Sequence, residues 1–161
     1  CLFFQYGVET WLVFSEFTIR LFAEYADLTS YWWNDVEGNN RNAVYNHSRY
    51  DDGYRYRGRP IGHWADSDSQ VLSVGGLFVT SGNYDWGFSI RRGTLNEGGE
   101  FRSSISNFHE SEISSFEVYN SRIYERVGLS VNTSLGWESL ESKGKQKDDG
   151  LSWFLSLTRV L

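Results

Sequence analysis

The 161-residue chain has length for one domain with a sizeable core, and an aromatic content of 17% with hydrophobic residues at 40% excludes a disordered chain. Its net charge of −6 argues against nucleic acid as a partner and against anionic lipid headgroups as a docking surface, although it leaves a membrane-spanning protein open. The single cysteine, Cys1, permits no internal disulfide, and one proline beside 16 glycines favours strands and turns.

No apolar run approaches the 18 or so residues of a membrane helix, so any spanning segment is a strand. The first expected strand is 2–11. A second, 17–25, sets Phe17, Ile19, Leu21, Ala23 and Tyr25 against Thr18, Arg20, Phe22 and Glu24. Between this strand and the next lies a long polar connection, 30–69. The third strand, 71–80, is apolar on both faces and holds Gly75 and Gly76. After a short turn at 81–83, the fourth (85–91) sets Trp86, Phe88 and Ile90 against Asp85, Gly87, Ser89 and Arg91. A polar connection, 93–112, leads to a mixed strand, 113–123. A short link at 122–126 precedes the clearest alternation in the chain: Val127, Leu129, Val131, Thr133, Leu135 and Trp137 against Gly128, Ser130, Asn132, Ser134, Gly136 and Glu138. The last strand follows the loop 142–150. It places Leu151, Trp153, Leu155, Leu157 and Leu161 on one face and Ser152, Ser156 and Thr158 on the other.

Seven strands joined alternately by short and long connections predict an all-β chain: antiparallel transmembrane strands of a β-barrel with tight periplasmic turns and long external loops. The strands have about the 9–11 residues that a tilted spanning strand needs. A soluble β-sandwich also alternates. Two features favour the barrel: Trp86, Trp137 and Trp153 are placed for an aromatic girdle, and the opposite faces carry Gly, Ser, Asn and Thr rather than Lys and Glu. A bacterial barrel has an even strand number. Seven strands therefore predict that residues 1–161 are one barrel segment, the C-terminal part of a larger barrel whose N-terminal remainder precedes Cys1.

The loop 30–69 is the expected binding region. It carries Tyr31, Trp32, Trp33, Tyr45, Tyr50, Tyr54, Tyr56 and Trp64 among Asn39, Asn40, Asn42, His47, Asp51, Asp52, Arg55, Arg57, Arg59 and His63. An aromatic ring packs on the apolar face of a sugar while amides, carboxylates and guanidinium groups take its hydroxyls. The same rings serve equally well to plug a barrel or form its girdle. No catalytic set is evident: there is no Gly-x-Ser-x-Gly, and a Ser-His-acid arrangement is a matter of geometry. Asp66 and Asp68 lack the spacing of a calcium loop and read as a solvated turn, so neither metal nor cofactor is expected.

Within this loop, Tyr45-Asn46-His47, Tyr50-Asp51-Asp52-Gly53-Tyr54 and Gly58-Arg59-Pro60-Ile61-Gly62 resemble the outer-membrane capsule assembly (Wzi) family. There a Tyr-x-His precedes an Asp-Gly-Tyr and a Gly-x-Pro-(Leu/Ile)-Gly. The segment Phe22-Ala23-Glu24-Tyr25-Ala26-Asp27, Asn132-Thr133-Ser134-Leu135 and Asp148-Asp149-Gly150 add to the likeness, which extends from about Phe17 to the end. The resemblance implies a Gram-negative outer-membrane barrel of about eighteen strands with an N-terminal helical part, within the known range of such barrels. It also implies a lectin-like, non-catalytic role: holding capsular or other surface polysaccharide at the cell outer membrane, with membrane lipid as the other partner. The glycan contacts expected from chemistry are Tyr45, His47, Tyr50, Asp51, Asp52, Tyr54, Tyr56, Arg57, Arg59 and Trp64. The alternatives are a general porin and an outer-membrane hydrolase. The departures from the family's pattern are the missing N-terminal portion and the ending Thr158-Arg159-Val160-Leu161, which lacks a terminal aromatic.

Overall fold

Alternation of side chains is satisfied in a computed structural model by one antiparallel sheet. The structure describes residues 4–29, 45, 55–56, 59–60, 62–82, 84–99, 103, 105–106, 109–145 and 147–159. In chain order the strands are β1 (Phe4–Val13), β2 (Phe17–Asp27), β3 (Arg55–Tyr56), β4 (Arg59–Pro60), β5 (Gln70–Thr80), β6 (Tyr84–Leu95), β7 (Ser111–Tyr124), β8 (Leu129–Ser142) and β9 (Asp148–Arg159). Seven of them form a sheet in the order β1-β2-β5-β6-β7-β8-β9, while β3 and β4 pair only with each other. The sheet is open, with β1 and β9 as its edges.

The register aligns every strand's alternation. One cross-strand row runs Ala23, Val74, Ile90, Phe116, Trp137, Leu151; the next runs Leu21, Gly76, Phe88, Val118, Leu135, Trp153. These rows share one apolar face. Leu135 is 58% exposed and Leu157 61%, so among the described residues nothing covers that face. A soluble sandwich would bury it against a second sheet about 10 Å away. Its bareness favours hydrocarbon as the solvent. From Leu129 to Trp137 the band spans roughly 27 Å along the strand at about 3.4 Å per residue. A tilt of about 40° reduces this to near 21 Å, the scale of an outer-membrane apolar belt.

Where the structure departs from sequence expectation, the reason is that hydrogen-bonded ribbons continue beyond this band. β6 runs to Leu95 and β7 begins at Ser111, and β8 reaches Ser142 with β9 starting at Asp148. The loops expected at 93–112 and 142–150 are shorter by those residues. Above Trp137 the apolar face turns polar through Ser139 and Asp149, then Glu141 and Glu112. Trp137 therefore flanks the band as a girdle residue, whereas Trp153, opposite Leu135, lies one row deeper and Trp86, in register through Asn120 with Thr133, lies two rows deeper. Residues 2, 3, 160 and 161, expected in strands, lie outside the described residues.

The turns at the other end are tight. Phe14 donates its N–H to the Phe17 carbonyl at 2.9 Å. The 81–83 turn is held by the Thr80 hydroxyl on the Tyr84 carbonyl at 2.6 Å. The third turn is a 3-10 turn, Glu125–Val127, not the expected 122–126. Val127 is consequently off the strand and 70% exposed. Gly128 ends the turn at φ 58°, a left-handed conformation that costs glycine little. Gly75 has a different reason. A Cβ there would stand 2.5 Å from the Phe22 ring, which lies across β5 on the polar face.

The facing is directly testable. Leu135→Arg near the bilayer midplane should cost about 2–4 kcal/mol in reversible unfolding of the barrel in lipid vesicles. Ser134→Arg, on the polar face, should cost less, and a larger cost at Ser134 would invert the assignment of faces.

Candidate functional site

The polar face is not uniformly polar. At the long-loop end it carries Val71, Leu95, Ile113 and Leu140 on four successive strands. Val71 is 1% exposed and Leu95 0%. Leu28 and Ala65 are buried against them, with Trp64 and Ile105 packed alongside, so the described part of the loop folds inward onto the sheet. This explains why β5 reads apolar on both faces and β7 reads mixed: Val71 and Ile113 face the folded loop, not lipid. Among the described residues, burial of this cluster is the hydrophobic contribution that holds the loop down.

Residues 65–69 form the seam. Leu28 donates its N–H to the Ser69 carbonyl at 2.8 Å and accepts from Asp68 N–H at 3.1 Å. Glu97 N–H reaches the Asp68 carbonyl at 2.7 Å. The Ser69 hydroxyl donates to the Ala65 carbonyl at 2.8 Å and accepts from Asn96 N–H at 3.2 Å. Asp66 and Asp68 adopt positive φ of 68° and 53°, costly for non-glycine residues. Ser67 N–H caps the Asp66 carboxylate at 2.7 Å. The solvated turn expected here is thus overturned: Asp66 is 0% and Asp68 1% exposed, because the seam is sandwiched between the β2 and β6 exits. Among the described residues no cluster of metal ligands occurs.

One row deeper on the polar face, the register aligns Glu24, Ser73, Arg91, Ser115 and Glu138 across β2, β5, β6, β7 and β8. His63 and Trp64 come down onto this shelf. The His63 Nδ1 accepts from Ala65 N–H at 3.2 Å, so Nε2 carries the proton of the neutral ring and faces Glu24 at 3.9 Å. Arg91 sits 5.7 Å from the Trp64 ring centroid, within cation–π range. Burial lowers the His63 pKa, and Arg91 adds to the lowering while the Glu24 carboxylate opposes it. The arrangement offers an indole face, a guanidinium, two carboxylates and serine hydroxyls on one surface. Such groups match the apolar faces and hydroxyls of a sugar.

The expected contact residues divide into three groups. Tyr45 and Trp64 belong to the docked loop. Tyr45 is buried, its phenol oxygen accepting from His63 N–H at 2.6 Å and its own N–H donating to Ser67 Oγ at 3.3 Å. It is a strut; Trp64 lies against Arg91 of the shelf. Tyr56 and Arg59 are opposed in the small β3–β4 hairpin. His47, Tyr50, Asp51, Asp52, Tyr54 and Arg57 lie outside the described residues. Glu24 and Arg91 were missed as site residues. The signal was partial: each is a charge on the small-polar face of its strand, but that face also carries Arg20, Glu117 and Glu138, so alternation alone did not single them out.

An open antiparallel sheet with a bare apolar belt, aromatic borders, tight turns at one end and an inward-folded loop at the other defines the chain as outer-membrane β-barrel strands. The model of the capsule assembly protein Wzi family matches residues 4–151, and the chain belongs to that family. No curated protein matches it significantly. A solved structure matches with a TM-score of 0.71 at 21% identity over 95% of this chain: Wzi, an outer-membrane protein involved in group 1 capsule assembly in Escherichia coli, described as a carbohydrate-binding β-barrel. The chain spans 33% of that protein's length.

Two outcomes check the docked loop. Tyr45→Phe removes the acceptor of the His63 amide and should loosen the loop by about 1–3 kcal/mol, read as faster hydrogen exchange at that amide. The second concerns pH. Since the folded His63 pKa lies below its ordinary value near 6.5, the undocked loop takes up the proton first as pH falls. Docking is then at full strength above about pH 6.5 and weakens as pH drops towards the lowered value. Protease cleavage within 30–69 should rise between pH 7.5 and 5, and His63→Gln should flatten that rise.

Proposed function

We propose that this chain contributes the glycan-holding part of an outer-membrane capsule assembly barrel, retaining capsular or other surface polysaccharide at the cell surface without catalysis. The loop 30–69 lies outside the cell and the tight turns lie in the periplasm, as is usual for such barrels. The observation that carries this reading is the surface where Trp64 and His63 lie over Glu24 and Arg91 at the long-loop end of the polar face. In sequence, Tyr54, Tyr56, Arg57 and Arg59 offer further rings and guanidinium groups of the kind a glycan takes. Family membership and the carbohydrate binding described for the E. coli barrel support the same ligand class. The folded-in loop supports a holding role over a general pore, because Val71, Leu95 and Ile113 are sealed beneath it. Among the described residues His63 meets a backbone amide and a carboxylate, which orient the ring.

The test uses cells producing the full-length protein. The double variant Tyr54→Ala, Tyr56→Ala removes two stacking faces of about 0.5–1.5 kcal/mol each and leaves Trp64 and the seam intact. Cells should keep normal barrel levels by immunoblot while shedding polysaccharide into the medium. A Trp64→Ala variant read in the same way reports on the shelf. Full retention in both variants at normal barrel levels would remove the stacking role and the reading with it.

A further inference from the structure

The apolar face contains a groove of about 380 Å³ in its interior, away from the two sheet edges. It is formed on β2 and β5 to β7, with Gly76 as floor and Phe78, Trp86, Phe88, Phe116 and Val118 among its walls. Its walls are carbon, and it lies within the band facing hydrocarbon. At about 30 Å³ for a water-sized group, it has room for a substantial part of one acyl chain.

The charge at the two borders of this face is unequal. On the long-loop side the strands present Asp27, Glu112, Glu141 and Asp149 with Arg92. On the tight-turn side they present Arg122 and Arg159, with no carboxylate among the described strand residues of that face. Arg122 is exposed, opposes Tyr84 on one side and Val131 on the other, and so lies one row inside the Tyr124–Leu129 end of the band, from which its long side chain reaches the border. Its guanidinium lies 4.8 Å from the Tyr124 ring centroid. A stacked guanidinium beside tyrosines at a membrane border is pre-organised for a phosphate oxygen. The overall charge of −6 conceals this local basic rim.

We propose that the groove and Arg122 together form a phospholipid site: one acyl chain lies in the groove against Gly76 and Val118, and the anionic phosphate is held by Arg122 in the leaflet on the tight-turn side. The occupant is a glycerophospholipid of the surrounding membrane, since the groove needs an alkyl chain and the rim needs an anion at its polar end.

The full-length barrel, purified in mild detergent and incubated with dioleoyl-phosphatidylglycerol, tests this by native mass spectrometry. The unaltered protein should retain a lipid under activation. Arg122→Gln should lower retention about tenfold, the loss of one charge-assisted contact. Val118→Trp, which fills the groove, should lower it similarly, and Glu112→Gln at the opposite border should leave it unchanged. Heat-modifiable migration establishes folding of each variant, and Val118→Leu provides a milder filling if the larger ring prevents assembly. Equal retention in the folded Arg122 and Val118 variants overturns the proposal. Loss with the groove variants alone overturns the headgroup assignment and leaves only annular lipid. A dimer mass abolished by filling the groove would show a second copy of the chain as the occupant and overturn it as well.

Discussion

Backbone hydrogen bonding in hydrocarbon is the constraint on which the rest of this molecule depends. No water is present in the bilayer core to accept an N–H or donate to a carbonyl, so each must find its partner in a neighbouring strand. The continuous register along β1-β2-β5-β6-β7-β8-β9 provides this between neighbouring strands, with β1 and β9 as the edges. Once the ladder is in place, the period of two follows, and every side chain is committed to lipid or to the interior. A slip of one residue in β8 would turn Leu135 and Trp137 inward and present Ser134 and Gly136 to lipid. The sharpness of the alternation in that strand is what excludes such a slip.

The same constraint explains where a core exists. Along most of the sheet the apolar residues are exposed to solvent or lipid, which in a soluble protein would be a liability. A conventional dry core occurs at one place only among the described residues, on the polar face at the long-loop end, around Val71, Leu95 and Ile113. Here the strands have left the band and water is available again. Loop backbone is tolerated at this point because the seam at 65–69 satisfies its own polar groups against the β2 and β6 exits. The folded loop then positions His63 and Trp64 over Glu24 and Arg91, joining a packing device to a recognition surface.

The two faces thus divide the chemistry of the chain. The polar face holds paired charges, Arg20 with Glu9 and His63 near Glu24, among serines and glycines in a setting wet enough to tolerate them. The apolar face sorts its few charges to its borders, acidic towards the long loops and basic towards the turns. Net charge, a single sum over both faces and all loops, reports on neither. This is why an acidic chain still presents a stacked arginine where a phosphate would lie.

What the amino-acid sequence determined by itself was the sheet: the seven long strands, their facing and the alternation of tight and long connections, all consequences of a two-residue period that is written locally. The resemblance in the loop motifs was likewise legible, because short spacings such as Tyr45-Asn46-His47 need no tertiary context. The burial of Asp66 and Asp68, the structural use of Tyr45, and the shelf of Glu24 and Arg91 were decided only by tertiary structure. Each depends on a contact between residues far apart in the chain: Tyr45 meets His63 across 18 positions and Asn96 meets Ser69 across 27. Register brings Glu24 and Arg91 into one row, and a folded loop covers them. Local periodicity carries no information about which distant segment folds back over a sheet, since that choice is made by the summed burial and hydrogen bonding of both partners.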